Sequence, residues 1–473
     1  MAKYKAYPEY KDSGVEWLKA IPEHWKLSKL RYQFVFGKGL TITKEHLQDE
    51  GIPCVNYGEV HSKYGFEVDP EIHTLKCVSD KYLKDNSSSL LAKGDIVFAD
   101  TSEDIDGSGN FTQLVSDTVT FAGYHTIIAR PFERENSRFY AYLLDCKELR
   151  SQVRHAVKGV KVFSITQAIL RNLSIWLPSN DEQAKIAAFL DHETAKIDNL
   201  IEKQQQLIEL IKEKRQAVIS HAVTKGLNPD VPMKDSGVEW LGEVPAHWIK
   251  QKLVNVSEGS RGSFVNGPFG SDLLAEELRD HGVPVVYIRD IKPTGYSRKS
   301  TVFVTPMKAK QLDVCKLEPG NVVVSKVGDP PGDACVYPVG EPSAIITQDV
   351  IRIRVNMAQF SPEFIAYLLN SDFGRMVVND ISVEGTRKRV SLGDFKSTRF
   401  VFPPLKESLD IVRYLNSECE KLSCTIAKAT QAVAFMQERR TALISDAVTG
   451  KIDVRDWVAP DTQDVEEPLE ATA

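Results

Sequence analysis

Two long stretches of the chain place apolar residues at alternating three- and four-residue steps and contain no proline or glycine. They span residues 181–224 and 406–449. An apolar pattern of this period over such a length is typical of a coiled coil. The predicted seam comprises Leu190, Ile197, Ile201, Ile208, Ile211 and Val218 in the first helix and Leu415, Leu422, Ile426, Val433, Met436 and Leu443 in the second. At ~1.5 Å per residue each helix extends roughly 65 Å, so we expect the helices to pair; the alternative is that each packs along its own domain.

The regions before these helices have a different pattern. They mix short β-branched runs, namely DIVFA, HTIIAR, VPVVYI, NVVVS and DVIRIRV, with turns rich in Gly, Pro, Asn and Asp. Such runs predict buried strands. Helical patterns join them, chiefly SRFYAYLLDCKELRSQV and SPEFIAYLLNSDFGRMVV. We therefore predict α/β domains, each with a mixed sheet.

The chain is an internal repeat of one unit. KDSGVEWL occurs at residues 11–18 and again at 234–241, and each copy continues to a P-x-H-W motif that contains His24-Trp25 or His247-Trp248. GDIVFA at residues 94–99 matches GNVVVS at 320–325, and ISHAVT at 219–224 matches ISDAVT at 444–449. Because several matches follow in the same order, they indicate duplication rather than chance. We expect the two His-Trp pairs to be structural anchors of the domain starts.

The repeat and the heptads together predict the domain organisation. Its segments are a first domain at residues 1–179, a central helix at 180–228, a second domain at 229–402, a distal helix at 403–454 and an acidic, disordered tail at 455–473. The predicted fold class is α/β plus coiled coil, with two pseudo-repeated mixed α/β domains separated by long antiparallel helices.

Composition and charge narrow the class of protein. The 473 residues are 42% hydrophobic and 26% charged, no apolar run is long enough to span a membrane, and seven cysteines form no CxxC pair, which favours a reduced, cytoplasmic setting. The net charge is −6, but residues 455–473 hold six acids and one arginine. Residues 149–180 hold five basic residues and no acid, and residues 385–406 hold six basic residues and one acid. Two basic strips on a nearly neutral body favour local binding of a polyanion.

Motifs for catalysis are missing from the sequence. It contains no GxxxxGK[ST], HExxH or GxSxG motif. GDPPG at residues 328–332 lacks the aromatic residue of an amino-methyltransferase loop, and the acidic segment ADTSEDID at 99–106 is better explained as a solvated loop than as a metal site. We expect a protein without a catalytic centre or metal site.

The repeated opening resembles that of one family, the specificity subunits of type I restriction–modification enzymes. YPEYKDSGVEWLKAIPEHWKLSKL, its second copy MKDSGVEWLGEVPAHWIKQKL, NGPFGSDLL at residues 266–274 and WLPSNDEQAKIAAFLD at 176–191 carry the resemblance, which extends to about residue 454. One departure is Ser408, where the family usually has Gln; this weakens a contact at the helix start.

The resemblance implies a function and partners. Each α/β domain would be a target-recognition domain for half of a bipartite, asymmetric site in double-stranded DNA, with the paired helices setting the gap. Two modification subunits would carry AdoMet and the methyltransferase site, restriction subunits would carry the nuclease and the ATP- and Mg-dependent motor, and this chain would hold no cofactor and contact no membrane.

The candidate DNA-binding residues follow from two physical roles. Basic side chains on the strips should contact phosphates, while forked or amide groups on loops should contact bases. The phosphate candidates are Lys158, Lys161, Arg387, Lys388 and Arg389. The base-contacting candidates are Asn56, His61 and Asn110 in the first domain and Arg261, Asn266, Arg289 and Gln348 in the second. The alternatives are a coiled-coil scaffold whose domains bind protein and a stand-alone DNA-modifying enzyme.

Overall fold

The protein consists of two units, each of which combines an α/β domain with parts of both long helices. The computed structural model describes residues 4–159, 162–238, 240–385 and 387–459. Unit 1 comprises Met1–Gln204 and Gln431–Ala473, and unit 2 comprises Gln205–Thr430. Each long helix therefore belongs partly to unit 1 and partly to unit 2.

The α/β domain of unit 1 is built from short strands and short helices. Its strands are β1 (Tyr10–Val15), β2 (Leu18–Pro22), β3 (Lys26–Lys29), β4 (Phe34–Lys38), β5 (Ile52–Val55), β6 (Phe66–Val68), β7 (Cys77–Val78), β8 (Leu90–Leu91), β9 (Ile96–Ala99), β10 (Thr101–Ser102), β11 (Phe111–Leu114), β12 (Thr120–Ala122), β13 (Thr126–Pro131), β14 (Phe163–Ser164) and β15 (Ser174–Leu177). Its helices are α1 (Tyr82–Asp85), α2 (Ser137–Asp145), α3 (Lys147–Ala156) and α4 (Gln167–Asn172), before the long α5 (Asn180–Lys225).

Two mixed sheets organise this domain. One has the strand order β4-β13-β9-β11-β6 and the other β7-β5-β12-β8, while β1-β2, β3-β15 and β10-β14 form separate pairs. Strand β6 runs parallel to β11, and β5 runs parallel to β12, whereas the other pairs in these two sheets are antiparallel. All four residues of β9 are buried, which explains why DIVFA is apolar without alternation.

The domain of unit 2 repeats this plan. Its strands are β16 (Met233–Asp235), β17 (Glu243–Pro245), β18 (Ile249–Lys252), β19 (Phe264–Asn266), β20 (Val283–Val286), β21 (Ile291–Lys292), β22 (Gly295–Tyr296), β23 (Phe303–Val304), β24 (Lys316–Leu317), β25 (Val322–Ser325), β26 (Val327–Gly328), β27 (Ala334–Val336), β28 (Ala344–Ile346), β29 (Val350–Ile353), β30 (Ser382–Val383), β31 (Lys388–Val390) and β32 (Arg399–Phe402). Its helices are α6 (Pro306–Gln311), α7 (Pro362–Asn370), α8 (Asp372–Asp380) and α9 (Leu392–Ser397), before the long α10 (Leu405–Val448).

The sheets of unit 2 correspond to those of unit 1. Their strand orders are β19-β29-β25-β27 and β23-β20-β28-β24, with β18-β32, β16-β17, β21-β22 and β26-β31-β30 as smaller assemblies. Strand β20 runs parallel to β28, so this sheet is mixed as well. The predicted strands DIVFA, HTIIAR, VPVVYI, NVVVS and DVIRIRV are confirmed as β9, β13, β20, β25 and β29.

Each short helical pattern forms two helices rather than one. SRFYAYLLDCKELRSQV is divided at Cys146, and SPEFIAYLLNSDFGRMVV is divided at Ser371, because both residues have an extended backbone. The Ser371 hydroxyl donates to the Leu368 carbonyl at 2.7 Å and accepts from Gly374 N at 3.1 Å. A serine side chain thus satisfies the end of α7 and caps the start of α8.

The predicted pairing of the long helices is confirmed. In unit 1 the start of α5 and the end of α10 share one core that contains Leu190, Ile197 and Leu443. In unit 2 the end of α5 and the start of α10 share another, where Val218 packs against the cluster of Leu415. The start of one helix meets the end of the other in both units, so α5 and α10 are antiparallel.

The seam residues have the burial that the heptad pattern predicts. Leu190, Ile197, Ile211, Leu415 and Leu443 are buried. The remaining members are half-buried: Ile201, Ile208, Val218, Leu422, Ile426, Val433 and Met436. In unit 1 the seam also contains an ionic link between the helices, since Arg440 Nε lies 2.9 Å from Asp198 Oδ1.

The first P-x-H-W motif ties the start of the chain to the start of α5. The Trp25 indole donates to Glu182 Oε1 at 3.1 Å, and His24 Nε2 lies 3.0 Å from Glu182 Oε2. The Tyr7 hydroxyl also donates to Glu182, whose side chain is only 5% exposed. Burial and this carboxylate raise the pKa of Tyr7 well above its usual value.

The second copy makes the same connection in unit 2. The Trp248 indole donates to Glu407 Oε1 at 3.1 Å, and His247 Nε2 lies 2.6 Å from Glu407 Oε2. The expectation that these His-Trp pairs are structural anchors is confirmed. The Ser408 hydroxyl here bonds the Leu405 carbonyl, whereas Gln183 at the equivalent position of unit 1 reaches back to the Pro178 carbonyl.

The C-terminal segment closes unit 1. The Trp176 indole donates to the Val448 carbonyl at 2.6 Å, and Asp453 N donates to the Lys5 carbonyl at 2.7 Å. Beyond them, the Trp457 ring packs edge-on against Phe189 with centroids 5.6 Å apart. The first residues of the segment predicted as tail, 455–459, are thus part of the described fold, while residues 460–473 lie outside the described residues.

No helix in the described ranges is both long enough and apolar enough to cross a bilayer.

Candidate nucleic-acid interface

The two basic strips lie at the same place in the two units. In unit 2, β31 pairs with β26 so that Arg389 lies opposite Val327 and Lys388 opposite Gly328. In unit 1, β14 pairs with β10 so that Ser164 lies opposite Thr101 and Phe163 opposite Ser102. Strands β10 and β26 each follow one residue after a central sheet strand, β9 or β25. Each basic strip therefore contributes a strand, β14 or β31, that pairs with the segment directly after the central strand of its domain.

Backbone hydrogen bonds make the correspondence between the units exact to the residue. They join the residue after the central strand to the residue before the neighbouring strand, and also to the residue that directly follows β14 in unit 1 or ends β31 in unit 2. These bonds are Asp100 N to His125 O (3.1 Å) and Ile165 N to Asp100 O (2.8 Å) in unit 1, and Lys326 N to Asp349 O (2.7 Å) and Val390 N to Lys326 O (3.0 Å) in unit 2. Asp100 thus corresponds to Lys326, and His125 corresponds to Asp349.

Glycine is required at a matching position of both domains. A Cβ on Gly39 would lie 1.9 Å from the Gly123 carbonyl oxygen, and one on Gly267 would lie 2.1 Å from the Thr347 carbonyl oxygen. Gly39 N bonds the Thr126 carbonyl in unit 1, just as Gly267 N bonds the Val350 carbonyl in unit 2. These close approaches hold the loop after β4 and the loop after β19 against the sheet.

In unit 2 this place is a cationic cleft of about 740 Å³. Its charged lining consists of the bases Lys326, Arg387 and Arg389 and the acids Asp349 and Glu384. Arg387 is exposed, and the Arg389 side chain is 60% exposed with Nη2 at 3.6 Å from Asp349 Oδ1. Burial and the positive charge of Arg389 lower the pKa of Lys326, while Asp349 acts in the opposite direction. An anion or a hydrogen-bond acceptor would find several donors here.

Lys388 differs from its two neighbours. Its ammonium donates to Asn379 Oδ1 at 3.1 Å and lies 3.5 Å from Glu384 Oε1, and the side chain is 30% exposed. Of the three predicted phosphate contacts in this hairpin, Arg387 and Arg389 therefore face the cleft, whereas Lys388 is engaged by its own domain.

A smaller cavity of about 190 Å³ adjoins the cationic cleft and shares Ile288 and Asp349 with it. The predicted residue Gln348 lines this cavity and is exposed, as is Phe269, whose exposed fraction is 73%. The cavity places the NGPFG segment beside the strand end that carries Gln348. This proximity could not be predicted from the sequence, because the two segments lie far apart along the chain.

The cleft of unit 1 has about 660 Å³ and a different charge. Lys38, Asp100, His125 and Gln167 line it. His125 Nδ1 lies 3.2 Å from Asp100 Oδ1. His125 has φ +55°, a left-handed conformation that is uncommon for residues other than glycine and often marks functional sites. The phosphate candidate Lys158 is exposed, and its backbone forms an isolated β-bridge with Ser164 of β14. Lys161 lies outside the described residues.

The base-contacting candidates of unit 1 have different fates. Asn56 is 1% exposed, and its amide donates to the Cys54 carbonyl at 3.0 Å, so it has a structural role and lacks the exposed edge that base contact requires. His61 and Asn110 are brought together, since Asn110 Nδ2 lies 3.3 Å from His61 Nδ1. Arg150 Nη1 donates to Asn110 Oδ1 at 3.1 Å and extends this polar group.

The remaining candidates of unit 2 lie on its loops and strand ends. Arg261 and Arg289 are exposed, and Arg289 Nε donates to the Ser300 hydroxyl at 2.8 Å with its guanidinium 5.0 Å from the Tyr287 ring. Asn266 is half-buried at the end of β19, where its amide donates to the Gly267 carbonyl at 3.2 Å.

Sequence reasoning missed the charged residues at the floor of the clefts. Asp100 and Lys326 each follow directly after the matched segments GDIVFA and GNVVVS. Extending that match by a single residue would have found an acid in one copy and a base in the other. Their partners, His125 and Asp349, could not be found in this way because the contact depends on the sheet.

Comparison with known proteins agrees with this architecture. Residues 22–210 match the family model described as type I restriction modification DNA specificity domain. The chain is 22% identical to the type I restriction enzyme StySPI specificity subunit of Salmonella potsdam and 22% identical to the EcoKI specificity subunit of Escherichia coli strain K12; each alignment covers 93% of this chain and 91% of the relative. A solved chain from work on complex assembly and conformational transition of the type I R-M system has a similar fold, with a TM-score of 0.66 at 15% identity over 91% of this chain and 99% of that chain.

These matches bear directly on the resemblance suggested by the repeated opening. The family model covers most of the first domain and the first part of α5. The two relatives extend the similarity over the second copy as well. The predicted resemblance is confirmed: residues 22–210 match the model of the type I restriction modification DNA specificity domain, and the chain is similar over 93% of its length to type I restriction enzyme specificity subunits.

Proposed function

We propose that the chain is the DNA sequence-specificity subunit of a type I restriction–modification complex. Each unit recognises one half of a bipartite site in double-stranded DNA. The observation that carries the proposal is the pair of clefts at equivalent positions of the two units, each beside the strand that its basic strip contributes (β14 or β31) and each with different charged side chains. A duplicated surface with unlike side chains is suited to two half-sites of unlike sequence, so the target is asymmetric.

The two basic strips position the DNA. In unit 2, Arg387 and Arg389 contact phosphates and account for affinity, whereas groups at the cleft floor and the loop around Gln348 contact bases. In unit 1, Lys158 and Lys161 take the phosphate role, and the group of His61 and Asn110 contacts the duplex beside the cleft.

The long helices set the gap between the half-sites. Helix α5 has 46 residues and α10 has 44, which corresponds to roughly 69 and 66 Å at ~1.5 Å per residue. Because parts of both helices belong to each unit, their length fixes how many base pairs remain unspecified between the two recognised segments.

The chain works with partner subunits in the cytoplasm and performs no catalytic step itself. Two modification subunits bring AdoMet and the methyltransferase site, and restriction subunits bring the ATP- and Mg-dependent nuclease and motor. The relatives are named as subunits of type I restriction enzymes, which supports such an assembly.

Selection of DNA by the assembled complex tests the proposal. The chain is purified together with its modification subunits and incubated with duplexes of random sequence, and the bound fraction is sequenced. We expect two specified segments of different sequence with a fixed unspecified gap, and an affinity that falls with salt as phosphate contacts require. Binding without sequence preference, or a palindromic target, would contradict the proposal, and failure to bind DNA at any salt concentration would favour the protein-binding scaffold.

A further inference from the structure

The floors of the two clefts carry opposite charges at corresponding positions. The backbone bonds described above place Asp100 where unit 2 has Lys326, and His125 where unit 2 has Asp349. In unit 1, therefore, an acid directly after the central strand lies beside a histidine directly before the neighbouring strand. In unit 2 the order is reversed: a lysine follows the central strand, and an acid precedes the neighbouring strand.

Both central residues are held in place yet remain accessible from the cleft. The Asp100 side chain is 32% exposed, and its backbone is fixed by bonds to His125 and Ile165. Lys326 is half-buried, and its backbone is fixed by the matching bonds to Asp349 and Val390. A charged group on a rigid strand end has little conformational freedom to lose on binding, which favours a specific contact over a diffuse one.

The environment of each charge defines the ligand that would satisfy it. Burial and Arg389 both disfavour the charged form of Lys326, so its pKa is lowered, and an acceptor entering the cleft would offset this cost. Asp100 accepts from His125 on Oδ1 and has a second carboxylate oxygen for a further donor. The exposed Arg387 and Arg389, in contrast, lie just before and within β31, on the side of the cleft where a phosphate backbone would pass.

Base edges in the major groove offer both kinds of partner. Guanine presents the acceptors O6 and N7, to which Lys or Arg donates, whereas cytosine presents the N4 amino donor, which a carboxylate accepts. We infer that Asp100 and Lys326 are specificity-determining side chains: Asp100 accepts from the amino group of a cytosine in one half-site, and Lys326 donates to a guanine in the other. This inference rests on the proposed function, since it names the bases that the two clefts discriminate.

The reversal also explains how one duplicated fold recognises two sequences. The sheet, the strand from the basic strip (β14 or β31) and the glycine contact are common to both units, so the backbone approaches the duplex in the same way. Exchange of a carboxylate for an ammonium at this position then changes the group that a nucleobase must present there from a hydrogen-bond donor to an acceptor. Asymmetry of the target follows from side chains alone.

Two conservative substitutions test the inference in the assembled complex by selection from random duplexes. Lys326→Met keeps the apolar stem and removes the ammonium, and we expect preference for guanine at one position of one half-site to fall by about 10-fold, with the other half-site unchanged. Asp100→Asn keeps the shape, and we expect preference at one position of the opposite half-site to move from cytosine towards adenine, because an amide both donates and accepts.

Matched controls and a second readout make the outcomes distinct. Lys310→Met on the exposed face of α6 and Asp117→Asn, whose side chain is 87% exposed, should leave both half-sites unchanged. Full retention of discrimination by Lys326→Met and Asp100→Asn would overturn the inference. A uniform loss of affinity for all sequences would also overturn it, because Lys326 would then be a phosphate contact and Asp100 a residue that only supports the fold. If the unmodified complex selected no sequence at all, the proposed function itself would fail, independently of these variants.

Discussion

The hairpin of unit 2 makes a quantitative prediction about salt dependence. Arg387 and Arg389 face the cationic cleft, whereas Lys388 is held by Asn379 and Glu384 within its own domain. Of these three residues, only the two arginines are therefore expected to displace counterions when DNA binds. Each neutralised phosphate of B-DNA contributes about 0.9 to the slope of log K against log salt concentration.

The perturbation is the double substitution of Arg387 and Arg389 by alanine. Loss of two phosphate contacts should flatten the slope by about 1.8. Between 50 and 200 mM salt the unmodified complex should then lose about 12-fold more affinity than the variant, because this fourfold change in salt is raised to the power of the slope difference. Fluorescence anisotropy on a duplex that carries the selected site measures both slopes.

Lys388→Ala is the matched control in the same strand. Its ammonium is already engaged, so this variant should keep the slope of the unmodified complex. An unchanged slope in the double variant would refute the phosphate role of the arginines. A slope reduced by Lys388→Ala as much as by an arginine substitution would refute the assignment of Lys388 to its own domain.

Three further predictions concern the anchors, the helices and the thiols. Glu182→Ala leaves the buried indole of Trp25 without its acceptor and should cost about 3 kcal/mol of unfolding free energy. Glu407→Ala removes a carboxylate that is 30% exposed and should cost about 1 kcal/mol. Urea denaturation followed by tryptophan fluorescence compares the two variants, and equal losses would contradict the role of burial. Removal of one facing heptad from both α5 and α10 shortens each helix by about 10 Å and should shorten the selected gap by about 3 base pairs, so an unchanged gap with full affinity would exclude the helices as its determinant. With a thiol reagent at pH 7.5, Cys424 should react fastest because it is exposed, whereas burial raises the pKa of Cys54 to about 12 and keeps it protonated; rapid modification of Cys54 would contradict the packing of unit 1.

Periodic features of the sequence were predicted accurately because their cause is local. Residues 181–224 and 406–449 became helices Asn180–Lys225 and Leu405–Val448, since heptads without proline or glycine leave no competing conformation. The fully buried strands were equally evident from β-branched runs. The breaks at Cys146 and Ser371 were not evident, because the helical pattern of apolar positions continues on both sides and each division depends on the extended backbone of a single residue.

The candidate site was predicted only in part, because its contacts join distant segments. The strip around Arg387 was evident from charge, but its correspondence to the strip around Lys158 depends on pairing with strands more than fifty residues away. Asn56 was chosen for its amide and its place after a strand, yet that amide satisfies a buried carbonyl of its own turn. Polarity at a strand end identifies candidates, but burial decides which of them can meet a ligand.

Unit 1 contains segments from the first and the last parts of the chain, and this affects the order in which the domains fold during synthesis. Trp176 and Lys5 bond the carbonyl of Val448 and the amide of Asp453, which leave the ribosome only after all of unit 2 has been made. Unit 2 is contiguous from Gln205 to Thr430 and can close while translation continues, so the domain made first is the domain completed last. Premature termination within α10 would therefore expose apolar surface in the N-terminal domain and make the truncated product a substrate for chaperones and proteases.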